Sequence, residues 1–207
     1  MAGQLGRTAA KRRPRGHVRR RGGRTLRRSS ILNSLEVHFM KYTFPDEINE
    51  RAKTLVDLCR ARNVRLSTIE SCTGGLLSGC LTDISGSSDV LDRGFVTYSN
   101  EAKHEEVGVK SESLEQFGAV SDTVAKEMCA GALTRTGIGA AASLTGIAGP
   151  GGATETKPVG LVYIGIATSH SAPAAHRYVF SGDRQEVRTA AVIEALVLLT
   201  AAVGAIE

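Results

Sequence analysis

Two nucleophilic side chains stand where an apolar run of the sequence ends in a polar turn. Ser71 and Cys72 follow the β-branched run at residues 64–70, and Gly74 and Gly75 precede an apolar pattern with helical spacing. This order predicts a strand, a tight turn and a helix. Side chains at such a turn lie at the carboxyl edge of a sheet, where open α/β folds bind ligands. We therefore expect a catalytic nucleophile at Ser71 or Cys72.

The residues alone leave the choice between the hydroxyl and the thiol open. A thiol at a helix start would have a lowered pKa, whereas a serine needs an adjacent base. Neighbouring residues of a strand point to opposite faces, so one of the two would face away from a shared pocket. Glu70, which comes directly before them, could orient a lysine or the substrate, or could accept hydrogen bonds from backbone amides.

A base for Ser71 has to come from elsewhere in the chain. The histidines form no metal-binding array, none of them follows a predicted strand directly, and the G-x-S-x-G elbow is absent. We therefore expect neither a metal nor another cofactor. Lys103 follows a predicted strand at residues 91–98, and burial could lower its pKa into the range of a base. Tyr98 could relay a proton; alternatively, Lys103 is an exposed first-turn residue and Tyr98 a rim aromatic.

A second glycine-rich loop, at residues 146–152, follows another predicted strand. Such a loop could hold a phosphate or a ribose, although glycines often do no more than close a turn. Arg184 stands beside the start of the last predicted helix, where it could reach a phosphate or could be a surface charge.

The elements that must hold these residues alternate along the chain. Helices are predicted at residues 45–63, 74–83, 111–117, 121–134 and 184–203, with one more short helix capped by Ser99 or Asn100. Strands are predicted at residues 64–70, 91–98, 140–145, 159–168 and 175–180. This alternation predicts a three-layer α/β/α sandwich with a mostly parallel sheet. The last two strands read as a hairpin and predict one antiparallel section.

The charge of the chain is divided unevenly. Residues 1–39 carry 11 Lys and Arg and one acid, a net charge of +10, whereas residues 40–207 have a net charge of −5. This division predicts a basic, disordered extension followed by one folded domain at residues 40–207. The extension could be a nucleic-acid arm, a targeting peptide, or the product of a start codon upstream of Met40. The folded domain lacks tryptophan and has few aromatic residues on which bases could stack. We therefore expect that it does not bind nucleic acid.

The cysteines and the hydropathy of the sequence indicate where in the cell the protein is located. The four cysteines form no C-x-x-C pair, which is typical of a reduced, cytoplasmic protein. No apolar run reaches the roughly 18 residues of a membrane-spanning helix. The longest candidate, at residues 190–203, is interrupted by Glu194. We therefore expect no association with a membrane.

Several motifs taken together resemble the CinA C-terminal family, whose members are nicotinamide-nucleotide amidases. The motifs are ESCTGG at residues 70–75, GFVTYSNEAK at 94–103, GAVS at 118–121, TGIAGPGG at 145–152 and KPVG at 157–160. The resemblance covers about residues 46–203. It implies that nicotinamide mononucleotide is the small-molecule partner, hydrolysed to nicotinate mononucleotide and ammonia without a metal. Pyridine-nucleotide salvage and a homo-oligomer are further expectations.

The resemblance also implies roles for individual residues. Ser71 would be the nucleophile, Lys103 the base, and Tyr98 an assisting group. The implied substrate contacts are Thr73, Gly74, Gly75, Gly146, Gly149 and Arg184. Backbone amides near Gly74 or in the loop at residues 146–152 would hold the oxyanion. Two alternatives stay open: a nucleotide-binding module without turnover, and a nucleic-acid-binding protein that acts through the basic extension.

Overall fold

A computed structural model of the protein describes residues 44–206. The basic extension predicted at residues 1–39, with its three interpretations, lies outside the described residues. Within them, α-helices and β-strands alternate as the hydrophobic pattern predicts.

The helices and strands have the following bounds. The helices are α1 (Asp46–Ala61), α2 (Leu76–Thr82), α3 (Asn100–Val107), α4 (Ser111–Phe117), α5 (Asp122–Thr136) and α6 (Arg184–Gly204). The strands are β1 (Leu66–Glu70), β2 (Leu91–Val96), β3 (Ala140–Gly146), β4 (Leu161–Thr168) and β5 (Ser171–Val179). The largest difference from expectation is at β5, which begins before residue 175. Its first residues are small or polar and include Pro173, which an edge strand tolerates.

The five strands form one sheet in the order β2-β1-β3-β4-β5. Strands β2, β1 and β3 are mutually parallel, whereas β4 runs antiparallel to both β3 and β5. The α/β sandwich and its antiparallel section are confirmed, but parallel and antiparallel pairings are equal in number rather than mostly parallel. The reason is the connection from β3 to β4, which contains no helix, and a parallel return would need a crossover of that kind.

Side chains that alternate along the strands feed two separate cores. Leu66, Ala142 and Leu144 pack with residues of α1, α2 and α6 on one face. Ile69 and Ala141 pack with residues of α3 and α5 on the other face. Both faces of β1 and β3 are therefore buried, as expected of strands in a sheet covered by helices on each side.

Helix α6 is long and apolar enough to cross a membrane by length and composition alone. In the fold, a stripe of its side chains is buried against β3, β4 and α1. Asp183 caps the start of the helix: its side chain accepts from the amides of Gln185 and Glu186, and Glu186 completes a capping box. Packing of this stripe accounts for part of the hydropathy of the helix.

Two glycines let the helices on one face approach closely. A Cβ on Gly165 of β4 would lie 2.4 Å from Ser143 Oγ and 2.5 Å from the carbonyl oxygen of Ala125 in α5. A Cβ on Gly131 of α5 would lie 1.6 Å from the carbonyl oxygen of Val107 in α3. These contacts fix α5 against the sheet and α3 against α5.

Replacing Gly165 with alanine should therefore destabilise the protein. The added methyl group overlaps backbone that cannot move freely, and overpacking of this kind costs about 3 kcal/mol. Chemical denaturation of Gly165→Ala should show this loss in the free energy of unfolding. Gly204→Ala is the matched control, because nothing lies within 4 Å of its added Cβ. A loss in Gly165→Ala no larger than in the control would contradict the close-approach argument.

Candidate active site

The turn after β1 lies at the carboxyl edge of the three parallel strands. The amide of Ser71 donates to the carbonyl of Leu144 at 2.9 Å, which ties the turn to β3. Gly74 and Gly75 have φ angles of +61° and +95°, a region that strongly favours glycine. The two glycines therefore allow the chain to reverse sharply and enter α2.

Glu70 binds the backbone amides at the start of α2. Its buried carboxylate accepts from the amides of Gly75 (3.0 Å), Leu77 (3.1 Å) and Ser78 (2.8 Å), and from the Ser78 hydroxyl (3.0 Å). These are amides of the first turn of α2, which lack intrahelical partners and carry partial positive charge. Of the alternatives considered for Glu70, the capping of backbone donors is the one observed.

Lys103 projects inward from α3. Ser99 caps this helix by accepting from the amide of Ala102 at 3.0 Å. Lys103 is 1% exposed, so it is not a solvated surface residue. Its Nζ lies 3.0 Å from Ser71 Oγ and 2.8 Å from the carbonyl of Thr97. The carbonyls of Tyr98 and Ser99 lie 3.3 Å away.

Burial lowers the pKa of the Lys103 amine below its ordinary value, and Cys72 and Glu101 oppose that shift only in part. A protonated amine has three donors and no acceptor, whereas the neutral amine has a lone pair. Carbonyl oxygens cannot give a proton to that lone pair. The Ser71 hydroxyl is therefore the contacting group from which neutral Lys103 can take one.

Cys72 lies on the opposite side of the turn. Its side chain is 7% exposed and belongs to the core beneath α1 and α6. Burial raises the pKa of the thiol to about 11. At neutral pH the thiol is protonated and inaccessible, so the geometry favours Ser71 over Cys72 as the candidate nucleophile.

Tyr98, Arg184 and Gly149 meet at the rim of the site. The Arg184 guanidinium donates to the carbonyl of Gly149 at 3.0 Å and to the Tyr98 hydroxyl at 3.5 Å. Tyr98 is 63% exposed, and it is its backbone carbonyl, rather than its hydroxyl, that contacts Lys103. A groove of about 560 Å³ lies beside Arg184 and is lined in part by Gly149 and Asp183. The structure thus brings the predicted rim residues together.

Thr73 lies in the turn after β1, and Gly146 lies at the carboxyl end of β3. Thr73 is fully buried, and its hydroxyl has no hydrogen-bond partner among residues 44–206. Gly146 ends β3, where a Cβ would lie 2.7 Å from the carbonyl oxygen of Leu161. Their proximity to the turn and the second glycine loop is observed, whereas direct contact of either with a substrate stays a prediction.

Arg188 is part of this arrangement, although sequence reasoning did not select it. Its Nε donates to the carbonyl of Cys72 at 3.1 Å, and its Nη2 donates to the carbonyl of Thr73 at 2.8 Å. The available signal was its position four residues after Arg184, which places both arginines on one face of α6.

Comparison with known proteins agrees with this fold. The family model described as "CinA C-terminal domain" matches residues 48–203. The nicotinamide-nucleotide amidohydrolase PncC of Escherichia coli K12 is 46% identical over 150 residues, which are 72% of this chain and 91% of that protein. The solved structure of the competence/damage inducible protein CihA from Agrobacterium tumefaciens is 44% identical, with a TM-score of 0.76 over 79% of this chain and 99% of that one.

Some relatives are much longer than this chain. A competence-damage inducible protein of Caldicellulosiruptor saccharolyticus is 51% identical over 147 residues, which are 71% of this chain but 36% of that protein. The chain therefore spans little more than a third of the length of such relatives.

The cap provided by Glu70 can be tested through stability. In Glu70→Gln, one carboxylate oxygen becomes an NH₂ group that faces backbone donors, so buried amides of α2 lose their acceptor. We expect the free energy of unfolding to fall by about 3 kcal/mol, measured by urea denaturation. The control is Glu47→Gln, which removes only an exposed pair with Arg51 and should cost about 0.5 kcal/mol. Equal losses in the two variants would argue against the cap.

Proposed function

Because the chain belongs to the CinA C-terminal domain family, we propose that it is an amidohydrolase that deamidates nicotinamide mononucleotide. The products are nicotinate mononucleotide and ammonia. Relatives named nicotinamide-nucleotide amidohydrolase support the proposal, since two of them are 46% and 48% identical to this chain.

The observation that best supports the proposed chemistry is the 3.0 Å contact between Lys103 Nζ and Ser71 Oγ. The contact joins a hydroxyl at the carboxyl edge of the sheet to an amine whose pKa is lowered by burial. A serine paired with a base is the arrangement that covalent hydrolysis of an amide requires.

In the proposed reaction, neutral Lys103 takes the proton of Ser71 as Oγ attacks the carboxamide carbon. The C–N bond then breaks, and the Lys103 ammonium returns that proton to the leaving amino group, which departs as ammonia. Water attacks the resulting ester and gives a proton to Lys103, which passes it to Ser71 Oγ as the acid product leaves. The proton count balances over the cycle, and the net reaction consumes one water.

The substrate carries a positive ring and a negative phosphate, which need different surroundings. Arg184 is the cation that the phosphate would meet at the rim. The amides of Gln185 and Glu186 already donate to Asp183, so the guanidinium rather than the helix start would hold the anion. Tyr98, in contact with Arg184, would line the same end of the groove and reach the substrate there. Gly74, Gly75 and the other implied contacts, the homo-oligomer, the salvage pathway and the cytoplasmic location stay predictions.

The reaction can be tested with purified protein and nicotinamide mononucleotide. We expect ammonia release that persists in EDTA. Ser71→Ala should lower kcat/KM by about 10³-fold or more, because it removes the nucleophile. Cys72→Ala is the matched control and should keep most of the activity, since its thiol lies in the core. Loss of activity in Cys72→Ala but not in Ser71→Ala would assign the nucleophile to the thiol instead.

The role of Lys103 predicts a pH dependence with a definite sign. The base must be neutral, so kcat/KM should rise with pH and level off above the Lys103 pKa. Burial lowers that pKa, so the midpoint should lie below the ordinary lysine value of about 10.4. Lys103→Arg cannot deprotonate and should lose about 10³-fold in kcat/KM at every pH. The matched control is Lys126→Arg, whose partly exposed side chain pairs with Asp122; it should match the wild type. A flat pH profile would refute the assignment of Lys103 as the base.

A further inference from the structure

We infer that Arg188 is a positioning residue that turns the backbone N–H of Thr73 toward the oxygen of the substrate carbonyl. The inference rests on the proposed Ser71 chemistry and goes beyond it by naming the oxyanion donor and the side chain that aims it.

The first step is the geometry of the peptide units after Ser71. Arg188 Nε donates to the carbonyl of Cys72 and Nη2 to the carbonyl of Thr73. In a trans peptide, the carbonyl and the next N–H point in opposite directions. Because the Cys72 carbonyl points toward Arg188, the N–H of Thr73 points away from it.

The second step is which side that N–H faces. Arg188 belongs to α6, which covers one face of the sheet with α1. Lys103 belongs to α3, which packs with α5 on the other face. An N–H directed away from Arg188 is therefore directed toward the layer that carries Lys103 and the Ser71 hydroxyl.

The third step is a count of the amides of the turn that have an acceptor. Ser71 N–H donates to Leu144, and Gly74 N–H donates to the carbonyl of Ser71 at 3.2 Å. Gly75, Leu77 and Ser78 donate to Glu70, and Leu76 N–H donates to the carbonyl of Thr73 at 3.4 Å.

The N–H of Cys72 acts on its own thiol, whose pKa it lowers, and it donates to no other group among residues 44–206. The N–H of Thr73 has no acceptor within the described part of the chain. An amide two residues after the proposed nucleophile, with no internal partner, is placed to stabilise a developing oxyanion. The amides of Gly74 and Gly75, by contrast, are already engaged.

The charge of Arg188 has no carboxylate partner among residues 44–206. Its donors go to two successive carbonyls of one turn, which the planar guanidinium can reach together. A lysine has one compact ammonium and cannot reproduce that fork. Arg188→Lys should therefore keep the charge but release one of the two peptide units.

The test uses a fluorophosphonate probe, which phosphonylates an activated serine and does not depend on the identity of the amide substrate. Mass spectrometry should find wild-type protein labelled at Ser71 and Ser71→Ala unlabelled there. Arg188→Lys should react about tenfold more slowly. Arg188→Ala should react more slowly still and recover with added guanidinium, which can occupy the vacated position.

The pH midpoint of labelling should not move, because Lys103 is untouched. The control is Arg51→Lys, an exposed residue of α1 paired with Glu47.

The possible results separate this inference from the proposed function. Labelling of Arg188→Lys and Arg188→Ala at the wild-type rate would overturn the inference. A shifted midpoint with an unchanged plateau would also overturn it, since Arg188 would then act on Lys103. Normal Arg188-dependent labelling without ammonia release would support the inference while rejecting nicotinamide mononucleotide as substrate. Absence of label at Ser71 in the wild type would reject both.

Discussion

A buried amine surrounded by neutral acceptors is the feature on which the rest of the site depends. Lys103 Nζ lies within 3.3 Å of three backbone carbonyls and of the Ser71 hydroxyl. Burial disfavours the ammonium more strongly than Cys72 and Glu101 favour it, so the amine can act as an acceptor of protons. The carbonyls fix its place without supplying a charge. The end of β2 must therefore deliver those carbonyls beside the end of β1, which parallel pairing achieves.

The position of that amine is set by a chain of close contacts that begins in the sheet. Gly165 lets α5 lie against β4, and Gly131 lets α3 touch α5 at Val107. Lys103 lies one turn before Val107 on α3, so the contact that fixes Val107 also fixes the position of Lys103. A shift of α5 by even the size of a methyl group would thus be carried to the amine, because packed interiors transmit strain.

The turn that carries Ser71, the proposed nucleophile, is held by charges of opposite sign on the segments beside it. The Glu70 carboxylate accepts hydrogen bonds from amides of the first turn of α2. The Arg188 guanidinium donates hydrogen bonds to the carbonyls of Cys72 and Thr73. Each ion supplies hydrogen-bond partners to backbone groups of this turn. The two together leave little freedom for the turn that carries Ser71, and a rigid support of this kind is what a catalytic hydroxyl needs.

The sequence by itself determined the order of helices and strands, the two glycine-rich loops and the pairing of Ser71 with Lys103 through family resemblance. These features are local, since hydrophobic periodicity and turn residues act over a few positions. The tertiary structure alone decided that Cys72 is buried, that Glu70 caps α2 and that Arg188 grips the turn. Each of these depends on which layer of the sandwich a side chain meets, and that is set by packing between segments as far apart as residues 72 and 188. The direction of β4 was decided in the same way, because the loop before it leaves no helix to cross the sheet.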